Sequence, residues 1–177
     1  PVSRLELCCI FYHFMSVDFS RTLFEDKMTI RITEDDIDIK AEHEALKSPD
    51  AGAIVIFTGT VRDLPDGGGL NAMTLEHYPG MTESEIEIII NEAKARWSLI
   101  KVTVIHRVGR LLPTENIVFV GCSSAHRGMA FDGTNFIMDF LKTKAPFWKL
   151  EDGPEGAVWV KARESDEKAA DRWKNSD

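Results

Sequence analysis

Ten residues from Gly52 to Val61, Gly-Ala-Ile-Val-Ile-Phe-Thr-Gly-Thr-Val, carry no charge and are rich in β-branched side chains. A short apolar run of this kind, closed by turn residues, reads as a buried strand, and its strong apolarity predicts a central place in a sheet. Two further β-branched runs, Lys101–Arg107 and Asn116–Cys122, are separated by Gly109 and Pro113 and read as neighbours in the same sheet. Met28–Ile32 and Ile37–Ile39 alternate and are expected as edge strands. Asn71–Tyr78 reads as a paired strand, and Ala157–Ala162 as a last short one.

Helices fall between these strands. Ala41–Lys47 reads as a short helix closed by Ser48-Pro49-Asp50. Thr82-Glu83-Ser84-Glu85 has the form of a capping box, with Thr82 as cap. Behind it Ile86, Ile89, Ile90, Ala93 and Trp97 recur at helical spacing. A second helix is expected after Ser123 or Ser124, which read as caps. It buries Ala130, Ile137, Phe140 and Leu141 and ends near Lys144, because Pro146 disfavours helix at Ala145. Residues 164–174 form a charged, helical tail. Helices interspersed among short strands with hairpin-length links predict an α+β sandwich, not a doubly wound sheet. Residues 1–27 show no periodicity and are read as an extension outside the core. Residues 28–177 are read as the domain, and residues 63–69 as a Gly-rich loop.

The net charge of −8 argues against a general binder of nucleic acid or anionic membrane. No apolar run is long enough to span a bilayer. Leu5–Val17 carries Glu6 and His13 and lacks a small-residue cleavage site, so it reads poorly as a signal peptide. Cys8, Cys9 and Cys122 make no disulfide framework, and no Cys/His cluster has zinc-ligand spacing. A reducing cytoplasmic setting is the expectation, with no metal and no cofactor.

The charge is uneven. Residues 101–149 hold seven Lys/Arg against three acids, a net of +4, while residues 28–100 hold six against fourteen, a net of −8. A basic pocket on an acidic body suits a small anionic ligand. His126 and Arg127 stand at an expected helix start, where free N–H groups and the dipole favour an anion. Their side chains facing solvent is the alternative. Lys142 and Lys144 at a helix C-terminus complement the dipole, which accounts for them without requiring a further role. Lys149 lies past Pro146 beside Phe147 and Trp148, where lost solvation can lower a lysine pKa and make it a base or nucleophile. Arg62 ends the apolar strand next to the Gly-rich loop, and is either a site residue or an exposed strand-end arginine. His106-Arg107 lies within a strand, so one member is expected inward and one outward. Glu76-His77-Tyr78-Pro79-Gly80 reads as a structural turn. Cys122 reads as buried and inert.

Five separated segments carry a family resemblance: Gly52–Arg62, Leu75–Met81, Val104–Gly109, Ser124–Arg127 and Leu141–Lys149 (Leu-Lys-Thr-Lys-Ala-Pro-Phe-Trp-Lys). Together they resemble the large, catalytic subunit of molybdopterin synthase, from about Met28 to Trp173 and in the family's order. The resemblance implies an α/β hammerhead fold, with a mixed, mostly antiparallel sheet packed with helices. It implies a homodimer, each copy binding a small ubiquitin-like sulfur carrier to form a heterotetramer. It implies transfer of sulfur from the carrier's C-terminal Gly-Gly thiocarboxylate to cyclic pyranopterin monophosphate, giving the dithiolene of molybdopterin. Lys142 and Lys149 match the catalytic lysines. Arg62, His126 and Arg127, with Thr60, Val61, Leu150 and Glu151, match substrate-binding positions. A docking module for a ubiquitin-like carrier, without sulfur transfer, is the alternative, and an unrelated phosphate-ligand enzyme on the same fold is a second.

Overall fold

The structure is a computed structural model that describes residues 28–64, 69–160 and 164–175. The expected extension, residues 1–27, and the centre of the Gly-rich loop lie outside the described residues. In chain order the elements are β1 (Met28–Thr33), α1 (Ile39–Leu46), β2 (Ala53–Thr60), β3 (Ala72–His77), α2 (Met81–Arg96), β4 (Leu99–Arg107), β5 (Gly109–Leu111), β6 (Asn116–Ser124), α3 (Arg127–Thr143), β7 (Phe147–Gly153), β8 (Gly156–Val160) and α4 (Glu164–Asp171). A 3₁₀ turn, Arg172–Asn175, follows. The strands form two four-stranded sheets, β1-β4-β6-β2 and β5-β3-β7-β8. Only β1 and β4 run parallel, and every other pairing is antiparallel. This is the α+β, mostly antiparallel arrangement that the order of elements predicts.

The first sheet is covered on both faces. Successive residues of β4 point to opposite sides. Val102 and Val104, with Val118, Val120 and Cys122 of β6, pack under α2 and α3. Ile105 and Phe119 pack with Ile37 and Leu46 on the α1 side. Two covered faces explain why β4 and β6 read as nearly continuous apolar runs. A third cluster, Val61, Leu70, Met73, Leu75 and Leu111, lies against the second sheet.

Four local expectations are corrected. β2 is an edge strand, paired with β6 alone, and Phe57 is exposed. Its faces are half-covered, by α3 on one side and by the α1 cluster toward which Ile54 and Ile56 pack, and its apolarity says nothing of its neighbours in the ladder. Residues 37–39 are not a strand: Asp38 caps α1, its Oδ1 accepting from the Ala41 N–H at 3.0 Å. α2 is capped two residues earlier than expected. Gly80, at φ 82°, takes the cap position, and the Glu83 carboxylate accepts from its N–H at 2.6 Å. Thr82 is instead buried in the first turn, its Oγ1 donating to the Tyr78 carbonyl at 3.0 Å. Ser123 and Ser124 end β6 and do not cap α3. The Ser124 hydroxyl donates to the Ser98 carbonyl at 2.9 Å, and the cap position falls to His126 in extended backbone.

The core's aromatic centre is Phe136 on α3. Its ring meets Phe140 at 4.5 Å, Trp97 at 5.4 Å and Trp173 at 5.6 Å. The Trp173 Nε1–H donates to Asp139 at 2.7 Å, which fastens the C-terminal turn onto α3. Phe136 is wholly buried. We expect Phe136→Ala to cost about 3–5 kcal/mol of unfolding free energy, measured by urea titration, because the tightly packed rings cannot collapse fully into the space.

Candidate active site

A cleft of about 560 Å³ opens where the two sheets meet beneath the C-terminal end of α3. Lys142, in the last turn of α3, and Lys149, on β7, both line it. Between them α3 stops at Thr143, and Pro146 turns the chain into β7, a strand that local sequence did not reveal. Alternation along β7 then sends Phe147, Lys149 and Glu151 to the cleft and Trp148 and Leu150 to the other face. Two lysines seven residues apart are brought together by a helix end and a strand.

Each lysine has a carboxylate beside it. Lys149 Nζ donates to Glu151 Oε1 at 2.7 Å, and Lys142 Nζ lies 3.7 Å from Asp166 of α4. Lys149 is therefore not enclosed by aromatic surface as expected. Trp148 faces away and is 49% exposed, and the ammonium meets a carboxylate. Thr60 and Arg62 line the same cleft, at and just past the end of β2. Arg62 makes no hydrogen bond or ion pair among the described residues, which leaves its guanidinium free to meet an anion. Lys144 turns elsewhere, over the Phe140 ring at 4.2 Å and toward Glu92 at 3.9 Å.

Four of the expected substrate residues do not reach this cleft within one chain. Val61 is buried in the cluster behind it, with its N–H donating to Glu115 and its carbonyl accepting from Thr114. Leu150 faces the far side of the sheet, opposite Trp159 and Thr74. His126 and Arg127 are exposed at the other end of α3. The fifteen residues from Arg127 to Lys142 rise about 22 Å at 1.5 Å each, so one chain cannot close these groups on one small ligand.

His106, at the end of β4, is a cleft residue that the sequence reading missed. Its ring stacks on Phe147 at 3.8 Å and 16°. Its Nδ1 lies 2.8 Å from the Arg107 carbonyl. A carbonyl only accepts, so Nδ1 carries the proton and Nε2 keeps its lone pair. Burial between the sheets pushes the imidazole down from 6.5 to about 4. Arg107 does not face solvent as one member of the pair was expected to. It is buried on the α1 side, bonded to the Glu34 and Asn116 carbonyls and to Asp36. The alternation is as expected, but both faces of this sheet are covered. The signal lay in the parity of Val102, Val104 and His106, which share a face. Cys122 is buried, with its thiol pushed up to about 11 by desolvation, and stands apart from the cleft.

Among the described residues no group of three His, Cys, Asp or Glu side chains could hold a metal ion, and no helix is long and apolar enough to cross a membrane. What the cleft offers is a row of cations backed by carboxylates, set between two sheets: an α+β domain built to bind anions and to stabilise charge developing on oxygen. Comparison with known proteins narrows this to one family. Residues 32–144 match the family model described as MoaE protein. The molybdopterin synthase catalytic subunit of Escherichia coli K12 is 61% identical over 122 residues, 69% of this chain and 81% of that one. The MoaE protein of Burkholderia ambifaria superposes with a TM-score of 0.73 at 52% identity, over 84% of this chain and 99% of that one. Molybdopterin synthase from Staphylococcus aureus gives 0.69 at 28% identity, over 77% and 98%. The chain belongs to the MoaE family, that of the catalytic subunits of molybdopterin synthase.

The depressed His106 pKa sets a pH dependence. Below pH 6.5 the unfolded chain takes up a proton that the folded one refuses until about pH 4. The stability this group contributes is complete above 6.5 and falls by about 1.4 kcal/mol per pH unit as pH drops through that window. Urea titrations between pH 7 and 4 should show this slope in the wild type, and His106→Asn should be flatter by that amount.

Proposed function

We propose that this chain is the catalytic subunit of a molybdopterin synthase in the cytoplasm. It adds sulfur to cyclic pyranopterin monophosphate, drawing it from the C-terminal thiocarboxylate of a small ubiquitin-like carrier. The convergence of Lys142 and Lys149 on one cleft, in a chain of this family, carries the proposal. The carrier's Gly-Gly tail enters the cleft and its thiocarboxylate meets the two ammonium groups. The thiocarboxylate sulfur bonds to a substrate carbon, and water then adds to the resulting thioester carbonyl. Lys142 steadies the oxyanion so formed, whose collapse breaks the carbon–sulfur bond and leaves the sulfur on the pterin and a carboxylate on the carrier. Lys149, held by Glu151, serves the proton transfers as the substrate ring opens. Arg62 and Thr60 hold the pterin phosphate end, and the acting unit is residues 28–177.

The 22 Å between the two ends of α3 bears on assembly. In the homodimer we propose, His126 and Arg127 of one copy complete the cleft of the other, adding the phosphate-binding groups that a single chain leaves outside. Two carriers then give a heterotetramer. Leu150 and Val61 act in this scheme through the backbone that places Glu151 and Arg62.

Single turnover with the substrate and a thiocarboxylated carrier, read as the fluorescent oxidised product, tests the reading. Product that requires both partners is the expected result. Bound carrier without product would replace the enzyme with a docking module. We expect Lys142→Ala to abolish product while the fold survives, since a half-exposed side chain in the last helical turn contributes little stability. Arg127→Ala should raise KM so far that the chain is nearly inactive at substrate concentrations near the wild-type KM, where the mixing test is run, with little change in stability. Mixing the Lys142→Ala and Arg127→Ala chains should restore about a quarter of wild-type activity, because half of the randomly exchanged dimers carry one intact site. Two inactive parents that stay inactive after verified exchange would place both groups in one chain's site.

A further inference from the structure

The side chains that line the cleft supply many donors, from Lys142, Lys149 and Arg62. The carboxylates among them are engaged: Glu151 with Lys149, Asp166 with Lys142, and Asp63 with the Leu64 and Leu70 N–H groups. A pterin is itself rich in N–H donors and needs acceptors. His106 is placed to be one. Its Nδ1–H is tied to the Arg107 carbonyl, its ring is clamped flat on Phe147, and Nε2 has no partner among the described residues. Nε2 is not among the sealed polar atoms, and the half-buried ring lines the cleft.

We infer that His106 is a further substrate-binding residue, an imidazole whose Nε2 accepts a hydrogen bond from an N–H of the pterin. The inference rests on the synthase reading for the identity of the ligand. The clamp on Nδ1 fixes the tautomer, so Nε2 can only accept at neutral pH. A neutral acceptor suits this position, since a third carboxylate would compete for the lysines that the thiocarboxylate needs. Desolvation keeps the ring uncharged, and the stack on Phe147 fixes its direction. The same stack links it to β7, two residues from Lys149. Acceptance at this point selects the heterocycle and leaves the sulfur chemistry to the lysines.

The test is anaerobic calorimetric binding of cyclic pyranopterin monophosphate to the full chain, with turnover measured beside it. His106→Asn keeps a donor to the Arg107 carbonyl but ends short of Nε2. His106→Phe keeps the stack and removes both nitrogens. His106→Gln reaches toward the Nε2 position with an amide oxygen. We expect Asn and Phe to weaken Kd about tenfold, the worth of one hydrogen bond to a group left unpaired. Turnover should show the loss in KM, with kcat nearly unchanged, and Gln should recover most of the affinity. Melting curves separate this from misfolding, since Phe preserves the packing. Wild-type Kd in both Asn and Phe overturns the inference, as does Gln binding no better than Asn at equal melting temperature. Wild-type chain that binds the pterin but gives no product with the carrier sinks the synthase reading alone, and the acceptor role is then judged on Kd. Wild-type chain that binds no pterin sinks both.

Discussion

The seating of α3 on the first sheet is the contact from which the rest follows. Phe136, Ile137, Phe140 and Leu141 lie on one side of the helix and are buried against the Val102, Val104, Val118 and Val120 face. Each such side chain contributes about 1.5–3 kcal/mol by leaving water. The fit is close at Gly133, where a Cβ would stand 2.8 Å from Leu99 Cδ1 and the leucine would have to shift. That seating fixes the direction of α3, and so fixes where Lys142 emerges. α2 packs beside it through Ile86, Ile89, Ile90 and Ala93. The C-terminal turn is anchored to it through Trp173 and Asp139, which brings Asp166 to the cleft.

The cleft's charge follows the same economy. A chain of net charge −8 gathers cations at one point and sets a carboxylate beside each of the two lysines, while Arg62 has no ion pair among the described residues. Lys149 is held by Glu151 and Lys142 faces Asp166 across a wider gap, so each cation is aimed as well as neutralised. Asp63 Oδ1 accepts from the N–H groups of Leu70 and Leu64, which hold the carboxyl below the usual range and tie down both ends of the Gly-rich loop beside Arg62.

Much of this was legible in the chain. The periodicity of Ile86, Ile89, Ile90 and Ala93 marks α2, and the β-branched runs mark β4 and β6 as partners. Other features were hidden for physical reasons. Composition reports the apolarity of a strand and not its place in the ladder, and the apolar 52–61 run is half-covered and stands at an edge. Glu83 and Glu85 offer a capping carboxylate at two registers, and the left-handed backbone at Gly80 decides between them. β7 was invisible because Phe147–Gly153 mixes aromatics with Lys149 and Glu151, polar residues that face a cleft and not a core, and with Asp152 on the other face. The family resemblance supplied Lys142, Lys149 and Arg62 as a set. It could not supply His106, whose place depends on β7 crossing in front of β4.

α3 is also a ruler. Seventeen residues of unbroken helix separate two groups of cations, and no side-chain rotation can shorten that span. In the dimer proposed above, where His126 and Arg127 complete a second copy's cleft, chemistry is licensed by encounter. On that proposal a lone chain holds the lysines, Thr60 and Arg62 without the phosphate-binding pair that a second copy brings, so activity per chain would fall on dilution, and a sulfur-bearing carrier meeting an unassembled subunit would find no complete site in which to discharge.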